Sequence, residues 1–126
     1  MDVISMKDIR KSYAMGDSVL NVLKSIDLTV KEGEFLAILG PSGSGKSTLL
    51  NIMAGLEKPS RGSVFIDGVD IAKLSERQLA VFRQKNIGFI FQSYNLMPTL
   101  TAVENVAMPL MFKGISKKSR NEQAVK

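Results

Sequence analysis

Between Phe35 and Leu56 the chain reads FLAILGPSGSGKSTLLNIMAGL, and this stretch leaves few choices of fold. Phe35 to Leu39 is an unbroken apolar run flanked by Gly33 and Gly40, the pattern of a strand buried on both faces, as in a parallel sheet. Beyond Ser47, apolar residues at Leu49, Leu50, Ile52, Met53 and Leu56 recur at helical spacing, and Gly55 with Pro59 marks the stop. The residues in between, Gly40, Pro41, Ser42, Gly43, Ser44, Gly45, Lys46 and Ser47, fit G-x-x-x-x-G-K-S/T, with the strand before and the helix after that the pattern requires.

Each part of that loop has a chemical reason. Glycines lack Cβ, so the backbone can curl into a nest that aims N–H groups at phosphate oxygens. The helix that follows adds the positive end of its dipole. Lys46 supplies a point charge able to bridge terminal phosphates, and the Ser47 hydroxyl is a hard oxygen ligand suited to Mg²⁺. Together these features bind a nucleoside triphosphate with its metal.

The rest of the chain alternates strand and helix signals. Ile26, Leu28 and Val30 alternate with Asp27 and Thr29, as in a half-exposed strand of an antiparallel sheet, and KEGE at 31–34 makes a turn. Ser63 to Ile66 reads as a strand before a hairpin turn at Asp67-Gly68. Ser75 with Gln78, and Thr101 with Glu104, are capping boxes that open two further helices. Leu79 and Phe82 give the first a buried side; Val103, Val106 and Leu110 mark a face of the second, which Pro109 should kink or shorten. Ile87 to Phe91 reads as another short buried strand, and a last helix begins at Ser116. The expected class is α/β with an antiparallel portion attached early in the chain.

Composition narrows the chemistry. There is no cysteine and no histidine, which removes thiolate metal sites, cysteine nucleophiles and the usual general base, and makes a reducing compartment the natural reading. The start, MDVISMKDIRKSY, does not resemble a secretory leader, and no segment approaches the ~20 apolar residues of a membrane span, so a soluble, cytosolic protein is expected. The net charge of +5 sits mostly in the tail: Lys113, Lys117, Lys118, Arg120 and Lys126 against Glu122 leave only +1 for the first 112 residues. A basic stripe across the fold is not evident, and nucleic acid is not an expected partner.

GPSGSGKSTLLNIMAGL, followed by IGFIFQSYNLMPTLTAVENV, closely resembles the ATP-binding subunits of ABC transporters. YAMGDSVLNVLKSIDLTVKEGEF and LTAVENVAMPL point to the subgroup serving macrolide export, lipoprotein release and antimicrobial-peptide resistance. The resemblance implies a P-loop NTPase core with an N-terminal antiparallel β portion, and ATP and Mg²⁺ as ligands. It makes Gly40 to Thr48 the phosphate-contacting set, with Lys46 catalytic and Ser47 on the metal. Tyr13 matches the aromatic that stacks on adenine, with Val22 packing beside it; a π face suits any base. Gln92 matches the glutamine that helps ligate Mg²⁺, lies near the attacking water and relays contact with the membrane subunits; as an amide at the end of a buried strand it would face the ligand crevice. Residues 93–112 resemble the surface that receives a short helix of a membrane-spanning permease, with Leu96, Met97, Leu100 and Met108 as its apolar lining.

The same family pattern includes an apolar strand ending in Asp-Glu, an L-S-G-G-Q signature and a switch histidine, none of which occurs here. Val64-Phe65-Ile66-Asp67 imitates the acidic strand, but Asp67 precedes Gly68 in a hairpin signal. Residues 1–126 therefore read as the N-terminal part of one nucleotide-binding domain, competent for phosphate and adenine contacts and not for hydrolysis alone. The intact protein is expected to pair as a homodimer with a permease at the cytoplasmic face of a membrane. The alternative is a non-catalytic nucleotide-binding or regulatory fragment.

Overall fold

The first strand, β1 (Asp2–Met15), turns at Gly16 into β2 (Ser18–Lys31), and the two pair antiparallel along their length. β3 (Arg61–Ile66) adds to the other edge of β1, and β4 (Val69–Asp70) follows through the Asp67-Gly68 turn. The sheet order is β2-β1-β3-β4, every pairing antiparallel. Both turn residues have positive φ, 47° at Asp67 and 77° at Gly68, as a two-residue hairpin of matching twist requires. Asp67 is thus spoken for by the turn, and its N–H donates to the Val3 carbonyl.

Three helical segments accompany the sheet: α1 (Lys46–Met53), a 3₁₀ turn (Ile71–Lys73) and α2 (Glu76–Asn86). The core joins Met6, Ile9, Leu23, Val64 and Ile66 of the strands to Leu49, Ile52, Ile71 and Leu79 of these segments. Leu49 and Ile52 stand three residues apart on one face of α1 and are buried. At roughly 1.5–3 kcal/mol each, their burial holds the head of α1, and so the glycine loop before it, against the sheet. The tail of α1 is held as firmly. Gly55 turns left-handed with φ 63°, a Cβ there would come within 2.9 Å of Leu79, and the Arg83 guanidinium donates to its carbonyl at 2.6 Å.

This computed structural model describes residues 1–126, which divide into two units, Met1–Phe89 and Ile90–Lys126. The second contains α3 (Ala102–Phe112) and α4 (Lys117–Ala124), capped by Thr101 and Ser116. Helix α3 runs through Pro109 to Phe112, so the proline does not shorten it. No helix of the chain is long and apolar enough to cross a membrane.

Two expected strands are absent. Phe35 to Leu39 is irregular, with Phe35 95% and Leu39 90% exposed, and Ile87 to Phe91 is irregular too, with Ile90 98% exposed. A strand persists only where a neighbour completes its hydrogen-bond ladder, and neither run joins the four-stranded sheet. The parallel component expected from these apolar runs is therefore not formed. Of the second run only Ile87 packs against the core.

Candidate nucleotide site

The loop from Gly40 to Lys46 folds around the Lys46 ammonium. That group donates to the Gly40 carbonyl at 2.8 Å and the Pro41 carbonyl at 2.6 Å, with the Ser44 hydroxyl at 3.4 Å. The Ser44 N–H closes the turn onto the Pro41 carbonyl at 3.3 Å. Gly45 is the N-cap of α1 and is left-handed, φ 90°. It also lies against β2: a Cβ there would come within 2.9 Å of Leu23 Cδ2 and 3.0 Å of Val22 Cγ1. Glycine is required on both counts.

Because the cap is glycine, no side chain accepts from the first turn of α1, and no acidic residue lies in that turn. The leading amides of a helix lack intrahelical acceptors and carry the positive end of its dipole. With Lys46 beside them, the arrangement suits a polyanion. Ser47, exposed in the same turn, offers its hydroxyl as an oxygen ligand, and Thr48 follows half-buried. Nowhere do three acidic side chains gather into a metal-binding cluster. A Mg²⁺ ion here would thus fit a donor set of one hydroxyl with phosphate oxygens and water, the mode that suits this ion.

Tyr13 and Val22 are partly buried in the same unit. The Tyr13 hydroxyl donates to Glu57 Oε1 at 2.7 Å. This bond to a carboxylate, with burial, raises the phenol above its usual range, against weaker effects of the Thr48 hydroxyl and Lys11. Burial pushes the Glu57 carboxyl up, but the Lys11 ammonium and the Tyr13 hydroxyl outweigh it and hold the group below the ordinary glutamate value. Sequence reasoning passed over Glu57 and Lys11, since neither belongs to a motif.

Gln92 lies in the second unit, exposed in a bend, and not at the end of a strand as the apolar run before it implied. Leu96 and Met97 are exposed in the loop that follows, whereas Leu100 and Met108 line a small cavity of about 140 Å³ with Glu104 and Arg120. Asn105, also unforeseen, ties that loop to α3: its Oδ1 accepts from the Met97 N–H at 2.8 Å and its Nδ2 donates to the Met97, Leu100 and Thr101 carbonyls.

Residues 23–126 match the family model described as ABC transporter. The chain is 50% identical over 111 residues to the uncharacterized ABC transporter ATP-binding protein MJ0796 of Methanocaldococcus jannaschii, covering 88% of this chain and 47% of that protein. It is 46% identical over 123 residues to the lipoprotein-releasing system ATP-binding protein LolD of Bacteroides thetaiotaomicron, covering 98% and 55%. With the macrolide export ATP-binding/permease protein MacB of Bdellovibrio bacteriovorus it shares 52% over 110 residues, covering 87% and 17%. Among solved structures, the dimeric post-hydrolysis state of the ATP-binding cassette MJ0796 bound to ADP and Pi superposes with a TM-score of 0.91 at 46% identity, over 97% of this chain and 54% of that one. The chain spans about half the length of the ATP-binding proteins it matches. A family model that runs from Leu23 through the glycine loop to Lys126, and a cassette fold that superposes on nearly the whole chain, lead to one conclusion: the chain belongs to the ABC transporter family.

Proposed function

We propose that residues 1–126 are the N-terminal part of an ABC nucleotide-binding domain and that they bind ATP with Mg²⁺. In this reading the amides of Gly43 to Thr48 donate to phosphate oxygens, while the Lys46 ammonium exchanges the Gly40 and Pro41 carbonyls for the terminal phosphates. Ser42 and Ser44 line the loop. Tyr13 and Val22 contact the base, and the Ser47 hydroxyl would hold the metal together with phosphate oxygens and water; the ion neutralises phosphate charge when bound. Hydrolysis and its coupling to transport belong to the longer protein. That protein would act as a pair of nucleotide-binding domains joined to a membrane-spanning permease, at the cytoplasmic face. The likeness to a cassette whose dimer holds ADP and Pi supports the pairing.

The observation that carries the reading is the left-handed glycine cap at Gly45, which leaves the first amides of α1 free of any side-chain acceptor beside a lysine held by the loop's own carbonyls. The test is calorimetric titration of the chain with MgATP. Binding is expected, with an unfolding midpoint that rises with ligand. Lys46→Ala should weaken it roughly tenfold or more, the worth of a charge-assisted hydrogen bond of ~1.5–3 kcal/mol. A folded chain that ignores ATP and GTP at millimolar concentration, or a Lys46→Ala variant that binds as well as its parent, would overturn the proposal.

A further inference from the structure

Tyr13 is held by more than its strand. Glu57 Oε1, which accepts from its hydroxyl, also receives the Lys11 ammonium at 2.9 Å. That ammonium donates to the Lys58 carbonyl at 2.8 Å and stands 5.1 Å from the centroid of the Tyr13 ring. The Lys11 and Glu57 side chains are only 14% and 24% exposed, so the pair is partly desolvated and less screened than an ordinary surface ion pair. Glu57 itself lies in the bend just after α1, where its N–H donates back to the Asn51 carbonyl of that helix at 3.3 Å. One helix thus carries the phosphate loop at its head and the anchor of the tyrosine behind its tail.

We propose that Glu57 and Lys11 are positioning residues for nucleotide binding: Glu57 fixes the edge of the Tyr13 ring through its hydroxyl, and Lys11 covers one face, so that the base packs on the other. The cation draws on the electron-rich face of the ring from its own side, and the hydroxyl bond removes the ring's freedom to swing. A ring that is already ordered gives up less entropy when a base stacks on it. The inference rests on the reading that Tyr13 meets the base.

The test separates base from phosphate by comparing dissociation constants for MgATP and for magnesium tripolyphosphate, which has no base, on the 126-residue chain. Tyr13→Ala should weaken MgATP roughly tenfold, as loss of base stacking does, and leave tripolyphosphate within about twofold. Glu57→Ala and Tyr13→Phe should each weaken MgATP roughly three- to tenfold with tripolyphosphate unchanged. The double variant should bind no more weakly than Glu57→Ala alone, because that substitution already removes the hydroxyl bond. Tyr13→Phe keeps the ring and its packing, so it reports even if Glu57→Ala fails to fold. Wild-type discrimination in Tyr13→Phe or Glu57→Ala, or an equal loss of both ligands in Glu57→Ala, overturns the positioning role. If Tyr13→Ala itself leaves the ratio of the two constants unchanged, the base-contact reading falls, and this inference with it.

Discussion

Gly62 shows how one residue on β3 answers to another strand. It has φ 102°, and a Cβ there would lie 2.5 Å from the carbonyl oxygens of both Lys7 and Asp8, backbone atoms that cannot swing aside. Those carbonyls stand so close because β1 bulges: Asp8 has φ 47°, and the register with β2 shifts between Met6 and Ile9. The bulge is held by the Asp8 carboxylate, which accepts from the Ser25 hydroxyl at 2.6 Å and from Arg10 at 2.9 Å, bonds that lower its pKa. Gly62→Ala should therefore destabilise the chain by about 2 kcal/mol or more, combining left-handed strain with a backbone clash. Gly43, also left-handed but with nothing near its Cβ position, should cost about 1 kcal/mol as alanine. Urea unfolding of the two variants checks the difference; equal losses would mean that strain alone matters at Gly62.

At the scale of elements, helices were legible and strands only in part. Residues 26–30 and 63–66 do fall in the antiparallel strands β2 and β3, but the two unbroken apolar runs do not form strands. Both expected capping boxes are present with all their bonds, at Ser75–Gln78 and Thr101–Glu104. These signals work because a cap is local: every partner lies within three residues. Thr101→Ala should cost about 1 kcal/mol. The two boxes should also differ in acid. The Thr101 N–H and hydroxyl hold the Glu104 carboxyl below the ordinary glutamate range. A depressed folded-state pKa means that this stabilisation is complete above about pH 4.3 and is lost as pH falls through the folded value. Gln78 carries no such proton. Circular dichroism below about pH 4.3 should show the gap between Thr101→Ala and its parent narrowing without closing, since the Thr101 hydroxyl still accepts from the Glu104 N–H, while the gap between Ser75→Ala and its parent stays constant. In contrast β1 escaped the reading, because its bulge puts buried Met6 and Ile9 three residues apart, a spacing that hides the period of two.

For the whole molecule, the apolar runs at Phe35–Leu39 and Ile87–Phe91 have the composition of buried strands, yet Ile38 and Ile87 alone are in contact with the core cluster while Phe35, Leu39 and Ile90 are almost fully exposed. Exposed runs of this kind associate with one another. The double variant Phe35→Ser, Leu39→Ser should therefore reduce self-association in sedimentation velocity and lower binding of a hydrophobic dye. Its unfolding midpoint should match that of the parent, since neither side chain is in the core. A large loss of stability would show instead that the run is packed. From the residues alone came the glycine loop, the helices that start at local caps, the Asp67-Gly68 turn and the family. Each of these depends on neighbours in sequence. Tertiary structure decided which apolar runs become strands, where β1 bulges, and that Glu57 from the bend after α1 meets Tyr13 and Lys11 from the first hairpin. Those outcomes depend on partners dozens of residues away, and only the folded chain brings them within a bond's length.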